Sequence, residues 1–151
     1  MASVDFDLRF RKALASDLPV ITALIADHDL PTRDLSEKLD SLWIATQVDL
    51  LVGVGGLEVH GDHGLLRSMV TTERFRGKGF GRVLTDFLLA HAREQKLVDV
   101  YLLTLTAAGF FRKLGFERVA RADVPNDIQR TSEFAELCPQ SAVCMKITIV
   151  P

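Results

Sequence analysis

The sequence predicts an α+β, or mixed α/β, domain, and three features lead to that fold class. Three short runs with strand-like composition follow one another between residues 42 and 71, separated by tight turns. The hydrophobic period then changes from that of a strand to that of a helix after residue 79. A dense apolar run at 98–105 is typical of a central parallel strand, which is buried on both faces. Strands linked by hairpins and strands linked through helices therefore occur in one chain, which favours the mixed class.

Local signals justify the elements of the first half. Alternating apolar and polar residues at 6–13 predict a half-buried strand. Ser16 is the expected N-cap of the helix that follows, with Pro19 in its first turn. Val48 and Asp49 join two strands as a tight hairpin. The predicted elements up to this point are strand 6–13, a helix after residue 16, a turn and short second helix at 29–37, and strands 42–47 and 50–59.

The second half begins with a strand and a long amphipathic helix. Apolar residues recur at helical spacing from Phe80 to His91. Thr106 is the expected cap of a later short helix, which Gly115 ends. The predicted elements here are a turn at 60–64, strand 65–71, a helix from 80 to about 96, strand 98–105, the short helix, strand 116–120, a loop with a helical turn at 122–141, and strand 142–150.

Composition limits the function classes. The 151 residues are enough for a single domain, 1–151, with a sizeable core. The net charge of −2 gives no global basic field, so we expect no nucleic-acid partner. The acidic start and the absence of a long apolar run predict a cytoplasmic protein with no membrane association. Cys138 and Cys144 lack zinc-site spacing, so we expect small apolar side chains there and no metal.

The positive charge is concentrated in one glycine-rich stretch, RFRGKGFGR, which spans residues 74–82. Glycine-rich turns that open a helix bind phosphates through free N–H groups. A P-loop is excluded because Gly79, rather than Ser or Thr, follows Lys78. A dinucleotide fingerprint is disfavoured because the glycines give GxGxG and the preceding strands are joined by hairpins. A turn with only solvated arginines is disfavoured, because a strand, an arginine, three glycines and an amphipathic helix follow one another closely in this part of the chain.

Two motifs resemble the GNAT N-acetyltransferase superfamily. Residues 76–81, RGKGFG, after a strand are similar to its Arg/Gln-x-x-Gly-x-Gly/Ala acetyl-CoA motif. AAGFFRKLGF, at 107–116, resembles its later helix ending in leucine-glycine-phenylalanine. The resemblance implies a central twisted mixed sheet of about six to seven strands flanked by about four helices. It also implies acetyl-CoA as cosubstrate, without a metal.

The resemblance assigns residues to acetyl-CoA. The backbone N–H groups of the glycine turn would hold the pyrophosphate, with basic side chains at its rim. The pantetheine arm would pair with the strand before the turn, where an N–H would also hold the thioester oxygen. The expected acetyl-CoA residues are Met69, Val70, Thr71, Arg76, Gly77, Lys78, Gly79, Phe80, Gly81, Arg82 and Phe111.

The acceptor is implied by the tail. Residues 101–145 resemble the arsenic-resistance-associated N-acetyltransferases and, more distantly, the acetyltransferase domain of N-acetylglutamate synthases. This implies a small-molecule primary amine, an amino acid or an analogue, with organoarsenical and phosphinothricin-like compounds included. The superfamily also admits a homodimer, for which the exposed final strand would give a route.

Candidate catalytic residues follow from the chemistry. Glu58 is the expected general base, although an outward-facing, solvated carboxylate is an equal alternative. His60 would lie on the same side of the strand and is expected to be a turn residue. Phe111 stands where the superfamily often has a proton-donating tyrosine, which leaves the acid unassigned.

Several residues are candidates to bind an acceptor carboxylate, and the sequence does not rank them. Arg67, beside Ser68, is one because arginine binds carboxylates bidentately. The others are Arg118, Arg121 and Arg130.

Two other functions stay open at this point. A protein acetyltransferase acting on an N-terminus or a lysine would need an open groove, which the 122–141 segment is expected to cover. A non-catalytic acyl-CoA-binding sensor is compatible with Phe111.

Overall fold

The computed structural model describes residues 7–149, and seven strands form one sheet within that range. The strands are β1 Arg9–Lys12, β2 Leu42–Gln47, β3 Leu50–His60, β4 His63–Thr71, β5 Asp99–Thr104, β6 Glu117–Arg118 and β7 Val143–Thr148. The helices are α1 Leu18–Ala26, α2 Phe80–Glu94, α3 Ala108–Lys113 and α4 Asn126–Gln129, followed by a π-helical segment, Glu133–Leu137.

The sheet is mixed, in the order β1-β2-β3-β4-β5-β7-β6. β4 and β5 are parallel, and the other neighbouring strands are antiparallel. β2, β3 and β4 are antiparallel neighbours joined by short turns. The parallel strands β4 and β5 need a longer crossover, which α2 provides. The predicted α+β class is confirmed.

Hydrophobic clusters cover both faces of the sheet. Leu65 and Leu66 are neighbours on β4 and therefore point to opposite faces. Leu66 packs in a cluster with Leu84 and Leu88 of α2, while Leu65 packs in a cluster with Ile128 of α4. A third cluster joins α1 to the β2–β4 region and holds Ile21, Ile25, Ile44, Val54 and Val70.

Several predicted boundaries differ from the structure. Ser16 was expected to cap the first helix but lies in a 3-10 turn, Ala15–Asp17, before α1 begins at Leu18. The Asp17 carboxylate instead accepts the Leu14 N–H at 2.8 Å and pairs with Arg11. The predicted second helix at 29–37 contains only a 3-10 turn, Leu35–Glu37.

The tail also differs in detail. Thr106 does not cap α3; the Thr104 hydroxyl accepts the Ala107 N–H at 3.0 Å. The strand predicted at 116–120 is reduced to Glu117–Arg118. The ends of the first and last predicted strands, Phe6 and Val150, lie outside the described residues. Between residues 7 and 149, no helix is both long and apolar enough to cross a membrane.

Candidate active site

A bulge in β4 creates the site. Across β3 and β4, Val54 is opposite Val70 but Gly56 is opposite Arg67, so β4 carries an extra residue there. Ser68 at this bulge has φ +57°, a left-handed conformation that is rare for a residue other than glycine. The parallel pairing of β4 with β5 covers only 63–65 and 99–101. The two strands are unpaired beyond Leu65, over the part of β4 that contains the bulge, which leaves an opening at the centre of the sheet.

The glycine-rich turn borders the first of two cavities beside this opening. Gly77 and Gly79 have φ +74° and +87°, so the turn depends on residues without a Cβ. We call this space of about 410 Å³ the donor cavity. Its lining is His28, Met69, Val70, Thr71, Phe75, Arg76, Gly77, Gly79, Phe80, Gly81, Arg82, Leu84, Thr85, Ala107, Phe110 and Phe111.

The donor cavity is suited to a phosphate group. Gly79 is the N-cap of the 15-residue α2, whose first N–H groups have no partner inside the helix. The helix dipole makes this end favourable for an anion, and Arg76 and Arg82 add charge. The structure brings together ten of the eleven residues that the sequence assigned to acetyl-CoA. The exception is Lys78, whose exposed side chain lies outside the lining.

A second space, the acceptor cavity, occupies the gap between β4 and β5 and measures about 290 Å³. It is lined by His28, Asp29, Leu30, Leu66, Arg67, Ser68, Met69, Leu102, Leu103, Thr104, Leu105, Thr106, Ala107, Phe111, Glu133 and Cys138. The two cavities share His28, Met69, Ala107 and Phe111. A ligand in one can therefore meet a ligand in the other at this shared wall.

A buried ion cluster forms one side of the acceptor cavity, with Arg67 at its centre. The Arg67 guanidinium donates to both carboxylate oxygens of Asp34, at 2.6 and 2.7 Å, and to Glu58 Oε2 at 2.8 Å. Its Nε donates to Ser68 Oγ at 3.1 Å and lies 3.4 Å from Glu133 Oε1. All three nitrogens of Arg67 thus face partners within the protein. The carboxylates of Asp34, Glu58 and Glu133 hold Arg67 in its orientation. Binding of an acceptor carboxylate by Arg67 stays a prediction.

Glu58 lies behind Arg67, where the lining of the acceptor cavity does not include it. It is 3% exposed, so the solvated alternative is wrong. His60 donates to Glu58 Oε1 at 2.8 Å, which confirms that both side chains lie on the same side of β3. Burial opposes the negative charge of Glu58, but hydrogen bonds from His60 and Arg67 and the charges of Arg67 and Lys38 outweigh it and lower its pKa to about 2. Glu58 as the general base stays a prediction.

The pKa of Glu133 is shifted in the opposite direction to that of Glu58. It is 4% exposed and lies on the wall of the acceptor cavity. Burial raises the pKa of this carboxyl, and the charge of Arg67 and the hydrogen bond from Cys138 offset the rise only in part. The Cys138 thiol donates to Glu133 Oε2 at 2.9 Å. Burial and the charge of Glu133 raise the pKa of Cys138 as well, so this cysteine is a neutral thiol.

Aromatic residues close the shared wall, and the tyrosine lies elsewhere. Phe111 is buried and packs edge-on against Phe110 and Phe116, with ring centroids 5.0 and 5.5 Å away. Tyr101 is buried on β5 and donates to Asp99 Oδ2 at 3.1 Å, away from both cavities. Burial and the charge of Asp99 raise its pKa. Neither residue supplies a proton donor at the shared wall.

The other cationic candidates for an acceptor carboxylate lie elsewhere. Arg121 donates to the carbonyl oxygens of Pro139 and Phe134, both at 2.8 Å. Arg130 pairs with Asp127 at 3.1 Å near the surface. Cys144 is buried on β7, where burial raises its pKa to about 11. The described part of the chain holds no group of three or more His, Cys, Asp or Glu side chains arranged to bind a metal.

Sequence reasoning weighed His28 as a functional group but favoured an exposed or capping residue at a helix end, and it missed Glu133. His28 Nδ1 donates to the Leu24 carbonyl at 2.9 Å, and Nε2 faces the Arg76 guanidinium, which places the ring against both cavities. Its position at the end of a helical stripe gave no sign of this long-range contact. Glu133 belongs to a tail segment without strand or helix periodicity, and only its proximity in space to Arg67 identifies it.

This chain matches a protein-family model and is similar to several known proteins. Residues 38–118 match the model described as acetyltransferase (GNAT) domain. The amino-acid acetyltransferase of Mycobacterium tuberculosis is 31% identical over 140 residues, covering 85% of this chain and 76% of that protein. The uncharacterized N-acetyltransferase CT2212 of Chlorobaculum tepidum is 33% identical over 85 residues, covering 56% of this chain. The chain spans about half of the length of that relative, 52%.

Solved structures share the fold. Rv2747 from Mycobacterium tuberculosis, in complex with CoA and NLQ, superposes with a TM-score of 0.77 at 26% identity and covers 94% of this chain and 99% of that one. N-acetylglutamate synthase from Neisseria gonorrhoeae, complexed with coenzyme A and N-acetyl-glutamate, gives a TM-score of 0.84 at 18% identity. That match covers 95% of this chain but 35% of the synthase, and at this identity it shows the fold alone.

Proposed function

This chain belongs to the GNAT acetyltransferase family, and we propose that it transfers the acetyl group of acetyl-CoA to the primary amine of an amino acid or a close analogue. One observation carries the proposal. The donor cavity, bordered by the glycine turn, and the acceptor cavity, between β4 and β5, meet at a shared wall. This wall is where the thioester and the amine would meet.

Two relatives support the choice of substrates. The relative with 76% of its length matched is named an amino-acid acetyltransferase. The structure of Rv2747, at 26% identity, contains CoA. Both support acetyl-CoA as donor and an amino-acid-like acceptor for this chain. A metal has no part in the proposed reaction.

The proposed reaction is direct attack of a neutral amine on the thioester carbonyl. The turn that opens α2 would hold the pyrophosphate, and the open edge of β4 at Met69–Thr71 would pair with the pantetheine arm. A β4 N–H would stabilise the oxyanion as the carbonyl becomes tetrahedral. The coenzyme A thiolate then leaves and takes a proton that the attached nitrogen releases. No protein acid is needed for that step, which fits Phe111 at the shared wall.

We further propose that the acceptor class includes organoarsenical and phosphinothricin-like amino-acid analogues, in line with the resemblance of the tail to arsenic-resistance-associated acetyltransferases. Direct bonding of Cys138 to arsenic has less support, because the group binds soft metals as a thiolate and here it is a hydrogen-bonded thiol. Recognition would then depend on the amine and the shape of the acceptor cavity.

Release of free coenzyme A is the measurement that tests the activity. Acetyl-CoA is mixed with L-glutamate, L-glutamine, L-arginine, phosphinothricin, an arsenic-containing amino-acid analogue or a lysine-containing peptide, and thiol release is followed over time. We expect amine-dependent release with at least one amino acid or analogue. Release with the peptide alone would favour a protein acetyltransferase. CoA binding without release with any amine would favour a sensor.

Donor binding is tested by replacing Gly79 with glutamate. Gly79→Glu places a carboxylate where the pyrophosphate is expected, so we expect the affinity for acetyl-CoA to fall at least 100-fold, measured by calorimetry. Gly79→Ala is the matched control because it imposes the same strain at φ +87° without the charge. We expect it to weaken binding by no more than about tenfold, since that strain costs roughly 1–2 kcal/mol. Equal affinities for the wild type and the glutamate variant would contradict the assigned donor site.

A further inference from the structure

The acceptor cavity has one buried carboxylate on its wall, Glu133, that the sequence did not identify. Glu133 begins the π-helical segment Glu133–Leu137, and π-helical turns often occur at functional sites. Its side chain is almost fully buried and yet borders the acceptor cavity. Its contact with a cation is long, 3.4 Å to Arg67 Nε. A buried carboxylate with so long an ion pair, on the wall of a cavity, is a candidate functional group.

The partners of Glu133 leave it weakly neutralised. Its Oε1 lies 3.4 Å from Arg67 Nε, and its Oε2 accepts a hydrogen bond from the neutral Cys138 thiol at 2.9 Å. The two terminal nitrogens of Arg67 are engaged at 2.6–2.8 Å by Asp34 and Glu58. Three carboxylates thus share one guanidinium, and Glu133 has the longest contact with it.

The charges around Glu133 favour uptake of a proton or a cation. Burial is the main reason that the pKa of Glu133 is raised, and the negative charges of Asp34 and Glu58 add to that rise. Arg67 and the Cys138 hydrogen bond offset only part of it. The acceptor cavity also contains His28 and Asp29. An ammonium group entering this cavity therefore meets a carboxylate whose neighbours favour transfer of the proton to it.

We propose that Glu133 is the general base that takes a proton from the ammonium group of the acceptor. The proposal rests on the acetyl transfer proposed above. The ammonium gives one proton to a Glu133 carboxylate oxygen, and the nitrogen lone pair forms a bond to the thioester carbon. The tetrahedral intermediate expels the thiolate, which receives the second proton of the nitrogen and becomes free coenzyme A. The amide keeps the third hydrogen, and Glu133 releases its proton to solvent.

Glu58 serves a different purpose in this scheme. Its oxygens are occupied by His60 and Arg67, both at 2.8 Å, and it lies behind Arg67 as seen from the acceptor cavity. Such a carboxylate holds a proton poorly and does not reach the acceptor. Glu58 is a positioning residue that fixes Arg67, and through it the orientation of Glu133.

The experiment compares three identical changes from carboxylate to amide. Glu133→Gln removes the proposed base, and Glu58→Gln removes the positioning carboxylate. Glu136→Gln is the matched control, because Glu136 lies in the same π-helical segment but its side chain is 67% exposed and pairs with the exposed Arg33. For each, kcat/KM with acetyl-CoA and the best amine of the panel is measured across pH, and coenzyme A affinity is measured by calorimetry.

We expect Glu133→Gln to lower kcat about 100-fold or more, the usual contribution of a general base, with coenzyme A affinity within twofold of wild type. The fall in kcat/KM at low pH, which in the wild type reports protonation of Glu133, should disappear. Glu58→Gln should keep that fall, and Glu136→Gln should match wild type throughout. Glu133→Asp, which keeps a carboxylate on a shorter side chain, should recover at least tenfold over Glu133→Gln and restore the fall.

The outcomes separate the two proposals. A Glu133→Gln variant that keeps at least a third of wild-type kcat, or keeps the fall at low pH while Glu58→Gln loses it, overturns Glu133 as the base and leaves acetyl transfer intact. A wild-type protein that releases no coenzyme A with any amine overturns the proposed function and the base assignment together. Urea unfolding of each variant shows whether a loss of rate reflects loss of folded protein. If Glu133→Gln is unfolded, the pH profile of Glu133→Asp compared with that of the wild type decides whether Glu133 is the base.

Discussion

At the scale of single residues, the pKa values of two carboxylates that contact Arg67 are shifted in opposite directions. Glu58 receives short hydrogen bonds from Arg67 and His60, which hold its pKa at about 2 despite burial. Glu133 has a 3.4 Å contact with the same guanidinium, and there burial prevails and the pKa rises. His60, the closer contact with Arg67 and the charge of Lys38 therefore keep Glu58 ionised, while Glu133, with a longer contact to the same guanidinium, has a raised pKa.

Glu58 gives the protein a stability that depends on pH. Its folded pKa of about 2 lies below the ordinary value of 4.5, so the folded state gains stability fully present above pH 4.5 and lost as the pH falls toward 2. We expect Glu58→Gln to lower the free energy of unfolding at pH 7 by on the order of 3 kcal/mol, as that shift implies. The difference from wild type should shrink by roughly half or more between pH 4.5 and pH 3. Urea unfolding across this range measures both.

Glu136→Gln is the control for this prediction as well, because the Arg33–Glu136 pair is exposed at the surface. It should change the free energy of unfolding by less than about 1 kcal/mol at either pH. A Glu58→Gln difference that does not vary with pH would show that the ion cluster does not lower the pKa of Glu58.

The sequence predicted those side-chain positions that depend only on neighbouring residues of one strand. The period of a strand placed Glu58 and His60 on one side, and the structure confirms a 2.8 Å hydrogen bond between them. Asp34 and Glu133, by contrast, reach Arg67 from segments 33 and 66 residues away along the chain. No local pattern encodes such contacts, so the cluster could not be foreseen.

At the scale of elements, the bulge in β4 is the feature that makes the site. Ser68 adopts φ +57° within a strand, and the bulge lies in the part of β4 that is not paired with β5. A left-handed conformation costs a residue with a Cβ about 1–2 kcal/mol, and a β-branched residue more. The fold accepts this strain where the acceptor cavity opens.

The strain at Ser68 can be measured with two substitutions that both remove its hydroxyl group. We expect Ser68→Gly to be more stable than Ser68→Val by at least about 1–2 kcal/mol in urea unfolding, because only glycine adopts this φ freely. At a regular strand position the order is reversed, since glycine weakens strands. Ser68→Ala measures the hydroxyl bond to Arg67 separately. A valine variant as stable as the glycine variant would contradict a left-handed residue 68.

Elements with strong periodicity were predictable, and those held by side-chain contacts were not. The sequence predicted strands at 42–47 and 50–59, and the structure has β2 at Leu42–Gln47 and β3 at Leu50–His60. The hairpin at Val48 and Asp49 is also confirmed, with both residues at positive φ. The segment at 29–37 and the tail instead form 3-10 and π-helical turns, which leave no simple period in the sequence.

At the scale of the whole molecule, the sheet changes from antiparallel to parallel pairing at β4 and returns to antiparallel pairing at β5. Among the strands between residues 7 and 149, only β4 and β5 are parallel neighbours, and these two strands separate beyond Leu65. Both cavities are built on that separation, with α2 and its glycine turn on one side and the tail on the other. A ligand in the donor cavity therefore contacts residues from β4, α2 and α3 at once.

Binding that joins these elements should stabilise the whole domain. We expect coenzyme A at 100 times its dissociation constant to add about 2.7 kcal/mol to the free energy of unfolding. For a domain of this size that corresponds to a rise in Tm of roughly 5–10 °C, followed by thermal denaturation with and without coenzyme A. Gly79→Glu at the same coenzyme A concentration should show almost no rise. A rise of equal size in that variant would place coenzyme A elsewhere on the molecule.

The wall shared by the two cavities consists of Met69, Ala107, Phe111 and His28, and both ring nitrogens of His28 already face protein partners, the Leu24 carbonyl and the Arg76 guanidinium. Sulfur, methyl and phenyl groups offer water no strong hydrogen bond, and they surround the point where the thioester would lie. The acetyl group would thus be shielded from hydrolysis while the enzyme waits for an acceptor. The phenylalanine that takes the place of a proton donor would then preserve the donor between turnovers, so that coenzyme A release reports transfer to an amine.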